Sequence, residues 1–103
     1  MFKRHRFADV ISRQLELFER DSAELIRECE AAEEAYDQAE RDEAEERFGD
    51  YQDLVETGTE ILADLRDHFA ATLDEAAGEQ YEAEFNEAVR RRLPRFGLEI
   101  ENR

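Results

Sequence analysis

The chain of 103 residues has no tryptophan, one cysteine, one proline and four glycines. A single cysteine excludes an internal disulfide framework and a Cys-rich zinc site. So few prolines and glycines speak against a sandwich or barrel, which needs a turn every several residues. No apolar run approaches the roughly 18 residues of a membrane span, and the first residues lack a signal-like apolar stretch. A cytoplasmic protein is therefore expected. Basic residues are also scarce, 14 against 29 acids, for a net charge of −15. No glycine-rich phosphate loop and no Ser/His/Asp constellation is present, so no catalysis is expected and no cofactor is implied.

What remains is helical in character. Seven Phe and three Tyr within a 41% hydrophobic chain are set at regular intervals, which argues for a folded rather than a disordered protein. Phe7, Ile11, Gln14, Phe18, Ser22, Leu25, Cys29, Ala32, Tyr36 and Ala39 recur at steps of three and four, one face of a helix. The stripe weakens after Ala39, and only Ala44 interrupts the charges between Glu40 and Arg47. Phe48, Tyr51, Val55, Gly58, Leu62, Leu65, Phe69, Thr72 and Ala76 then step alternately by three and four, a heptad seam of the kind found in coiled coils and bundles. Leu54, Ile61 and His68 widen it.

Gly49-Asp50 offers a helix stop followed by a strong N-cap. Thr57 and Glu60 fit a capping box at a competing break. Beyond Gly78 the stripe continues through Tyr81, Phe85, Val89 and Leu93, and Pro94 ends it. These signals predict an all-α protein: a long antiparallel hairpin of residues 5–48 and 50–93, turning at 49–50 and kinked or broken near Gly78. A tail, 94–103, follows, with a weak strand-like alternation at Phe96, Leu98 and Ile100. Uninterrupted arms would each reach roughly 65 Å at ~1.5 Å per residue.

Two wide apolar faces need more than each other, so association into a four-helix bundle is expected, as a homodimer or with another protein. The seam assigned to it comprises Phe7, Ile11, Phe18, Leu25, Tyr36, Phe48, Tyr51, Val55, Leu62, Leu65 and Phe69. Charge is segregated. Residues 14–89 hold 26 acids and five bases, whereas the first 13 and last 14 residues are each net basic. In a hairpin Lys3, Arg4, Arg6, Arg90, Arg91 and Arg92 would meet at the open end and steer an acidic partner.

Three lesser readings follow from the same residues. An acidic body of this kind can mimic DNA and block a DNA-binding protein, although direct nucleic-acid binding is not expected. Glu60, Asp64 and His68 lie at i, i+4 and i+8 and are the candidates for a carboxylate-rich metal site, but the Glu-x-x-His pair of di-iron bundles is missing, since position 65 is Leu. Cys29 falls on the seam between Glu28 and Glu30 and reads as a packing residue.

Overall fold

Helix α1 (Ala8–Asp21) buries Ile11, Leu15 and Phe18, and Phe7 just ahead of it is buried too. That spacing of three and four turns one side of α1 to a core. The computed structural model describes residues 6–103, and among these there is no strand. After α1 come α2 (Ala23–Asp37), α3 (Ala44–Ala70), α4 (Glu75–Arg92), the short α5 (Pro94–Gly97) and a closing 3-10 turn at Ile100–Asn102. None of these helices is long and apolar enough to cross a membrane.

The chain reverses at residues 71–74, earlier than Gly78. Asp74 is the reason: its carboxylate accepts from the Ala77 backbone N–H at 2.8 Å, and Glu75 adds charge of the favourable sign in the first turn. α4 then runs back along α3, with Phe69 on Tyr81 (ring centroids 4.7 Å apart) and Arg66 reaching Asn86 at 3.0 Å. Gly78 sits inside α4. α1 lies beside α4 and points the same way. Phe7 meets Tyr81 edge-on at 5.5 Å, whereas Glu19, twelve residues on, pairs with Arg92 at 2.7 Å. Phe7 has no side-chain oxygen with which to cap α1. Glu84 of α4 does so instead, accepting from the Phe7 and Arg6 backbone N–H groups at 2.9 and 3.2 Å.

Three expectations need correction here. Gly49-Asp50 is not a turn, because α3 runs through it, and through Thr57, whose hydroxyl bonds back to the Asp53 carbonyl at 3.1 Å. The turn is at residues 38–43, where the apolar stripe fades and a helix has nothing to bury. The chain is no two-armed rod of ~65 Å either, since its longest extent is 52 Å. Finally, the tail forms α5 and the 3-10 turn rather than a strand, and it buries Phe96 and Ile100 in the core. A start at residue 5 lies outside the described residues.

Core and arm separate clearly. Every buried residue of α3 lies between Gly58 and Arg66. This half of α3 packs with α4, α5 and the 3-10 turn, and α1 closes the body from the side of α4. The other half carries α2, which lies mainly along α3, touches the body at its base through Ile26 and Cys29, and buries Cys29 alone among its residues. Residues 23–57 therefore form a helical arm projecting from a closed body.

Two helical glycines show why α5 can dock on α3. A Cβ on Gly58 would stand 2.4 Å from Cε1 of Phe96, a ring that is buried and already packed edge-on against Phe18. A Cβ on Gly49 would meet nothing within 4 Å. Alanine improves helix propensity by ~1 kcal/mol at either place, but overpacking costs ~1–3 kcal/mol. Gly49→Ala is expected to raise the urea midpoint and Gly58→Ala to lower it. Equal shifts of the same sign would show that Gly58 is not a packing requirement.

Candidate interaction surface

The predicted seam divides between body and arm. Phe7, Ile11, Phe18 and Leu62 are buried within the chain's own core, so they do not carry association as expected. The third and fourth faces that the wide stripes need are supplied internally by α4 and α5. Leu25, Tyr51, Val55, Leu65 and Phe69 are half-buried. Tyr36 and Phe48 stay 40% and 43% exposed, with ring centroids 5.3 Å apart across the two arm helices. Phe48 continues to Tyr51 at 6.5 Å. Leu98 is more exposed still, a single aliphatic side chain of the sort that surfaces commonly show.

The arm is strongly acidic. Residues 23–57 hold fourteen carboxylates against Arg27, Arg41 and Arg47. Among the described residues only Glu24, Glu33 and Asp50 of these have an ion-pair partner. The Glu33 partner is Arg95 of α5, 2.9 Å away, which also donates to the Tyr51 hydroxyl at 3.2 Å. Burial opposes the charge on Arg95, yet these two bonds outweigh it and push its pKa up. The bracket ties the arm to the body at its base.

The basic end does not assemble. The start of α1 lies against Glu84 while Arg92 lies against Glu19, so parallel packing separates the two basic segments. Arg90 and Arg91 pair with Glu101 and Glu87, and Arg6 stacks on the Phe7 ring. Lys3 and Arg4 lie outside the described residues. Nor do Glu60, Asp64 and His68 converge. Eight residues of helix separate the outer two by ~12 Å, Glu60 faces Arg103 at 3.6 Å, and His68 Nδ1 lies 2.7 Å from the Asp64 carbonyl oxygen. No group of three metal-binding side chains occurs among the described residues.

Gln14 and Ser22 interrupt the first apolar stripe, and the fold gives each a place. Gln14 accepts from the hydroxyl of buried Tyr81 at 2.8 Å, and Ser22 stands at the joint between α1 and α2. Arg66 is buried in the body and donates to the Ile100 and Arg103 carbonyls at 2.9 and 2.7 Å, besides Asn86 and Asp67. The sequence pattern did not single it out. Burial pushes the Cys29 thiol up, and neighbouring Glu28 and Glu30 add to this, which is the setting of a packed rather than a reactive cysteine.

No protein-family model, curated protein or solved structure matches this chain.

Proposed function

We propose that this protein is a non-enzymatic protein–protein interaction or assembly module whose docking element is the arm formed by α2 and the first half of α3. The observation that carries the reading is the pair Tyr36 and Phe48, which touch each other across the two arm helices yet lie outside the body's core and keep 40% and 43% of their surface exposed. Aromatic residues with an exposed face are enriched in the cores of interfaces. The closed body then serves to hold the arm rigidly. A heteromeric partner fits better than a second copy, because two arms with eleven excess negative charges each would repel along their length.

The reading is tested by placing photoreactive benzoylphenylalanine at position 48, or at exposed Glu79 on the body, in cells that make the protein. A discrete adduct is expected at position 48 and not at 79. It should be competed by excess parent chain but not by the Tyr36→Ser/Phe48→Ser variant. Equal labelling at both positions, or none at 48, would overturn the proposal.

A further inference from the structure

The rings of the arm lead somewhere. From Tyr36 and Phe48 the contact passes to Tyr51, which lines a recess of about 440 Å³ in the crook between arm and body together with Ile26, Leu93, Pro94 and Phe96. An aromatic track thus crosses both arm helices and ends in a space large enough for a bulky side chain, which Glu33, Arg92 and Arg95 also line. The cations at its rim are already engaged, Arg92 by Glu19 and Arg95 by Glu33. Glu33 lies one helical turn from Tyr36 and Glu45 one turn from Phe48, so carboxylates flank the rings.

Resting on the interaction reading above, we infer that this track is the docking groove for a basic amphipathic helix of a partner protein. Two antiparallel helices leave a furrow into which a third can pack. An apolar stripe at i, i+3 and i+7 covers Tyr36 and Phe48 and sends one side chain into the recess, while Lys and Arg on its borders meet the arm's unpaired carboxylates. A polar cation would cover the charge and leave the rings wet. An anionic membrane surface would be repelled by the arm.

Three peptides of about five helical turns separate these cases: an amphipathic Leu/Lys helix, its Leu/Glu counterpart, and an Ala/Lys helix of the same charge. The Leu/Lys peptide is expected to bind, with amide shifts concentrated between residues 26 and 55, and the Leu/Glu peptide not to. Tyr36→Ser/Phe48→Ser should weaken Leu/Lys binding at least about tenfold without altering its salt dependence. The substituted rings pack on each other but lie outside the body's core, so most of the helix content by circular dichroism should be retained. The single variant Phe48→Ser repeats the test with a smaller change. An Ala/Lys peptide binding as tightly as Leu/Lys would reduce the arm to a charge surface, as in a mimic of DNA, and overturn the groove. So would unchanged Leu/Lys binding by the variants. If position 48 labels a partner but the Leu/Lys peptide does not bind, the interaction module stands and this assignment of its partner falls.

Discussion

Arg66→Met is expected to destabilise the protein by about 3 kcal/mol, a shift in Tm of roughly 15 °C for a domain of this size. Methionine keeps an apolar stem in the body but removes every donor. The Ile100 carbonyl, in a residue that is fully buried, then loses the 2.9 Å bond from Arg66 and keeps only a longer one, 3.3 Å, from the Arg103 backbone N–H. A hydrogen bond from a charged donor contributes ~1.5–3 kcal/mol. Asn86 and the Arg103 carbonyl lose partners at 3.0 and 2.7 Å as well, though they can turn to water more readily. Because these acceptors belong to α4 and the chain's last turn, one side chain ties both to α3. Arg66→Lys preserves the charge, but a single ammonium does not reproduce the planar fork, so it should recover only part of the loss. Urea denaturation measures the total, and hydrogen exchange over residues 96–103 shows where it is felt. A Met variant within about 1 kcal/mol of the parent would mean that the cluster is incidental to stability.

Raising the pH from 10 to 12 is expected to remove about 2 kcal/mol of stability through Tyr81 alone. Its ring is fully buried between Phe7, Phe69 and Phe85, and burial pushes the phenol up to about 12. The hydrogen bond to Gln14 pulls the other way without cancelling this. In the unfolded chain the same hydroxyl ionises near pH ~10. Between those values the folded state holds a proton that the unfolded state has lost, so stability declines as pH rises and is complete below the lower value. Tyr81→Phe has no proton to lose. At neutral pH it should be less stable by ~1 kcal/mol for the missing bond to Gln14, and above pH ~11 it should be the more stable of the two. Parallel loss in both proteins would place the alkaline transition elsewhere.

The all-helical fold was legible because it rests on local periodicity. Phe7, Ile11 and Phe18, and likewise Tyr81, Phe85 and Val89, repeat at helical spacing and are buried. Boundaries were less legible. Asp74 is an N-cap that the sequence displays openly, but a seam running from Phe48 to Ala76 without a slip masked it. In the fold, Thr72 and Ala76 are exposed and the seam has ended. Gly49 misled in the opposite direction. A helix tolerates one open glycine at ~1 kcal/mol, and α3 accepts it in order to carry Phe48 to Tyr36. The fading of the stripe after Ala39 marked the true turn, but charged residues are compatible with helix as well as loop, so the signal alone did not decide.

The candidate surface was half visible for the same reason. Tyr36 and Phe48 stood in the expected association seam together with Phe7, Ile11, Phe18 and Leu62, and nothing in a periodic stripe says which of its members another helix of the same chain will cover. That was decided by the reversal at residues 71–74 and by α5, whose Phe96 settles onto Gly58. The sequence by itself determined helix, the apolar faces and an acidic middle, since each follows from the order of side chains along a regular backbone. Only the tertiary structure decided which faces are spent on the core and which are left exposed, because burial depends on how distant segments return upon one another.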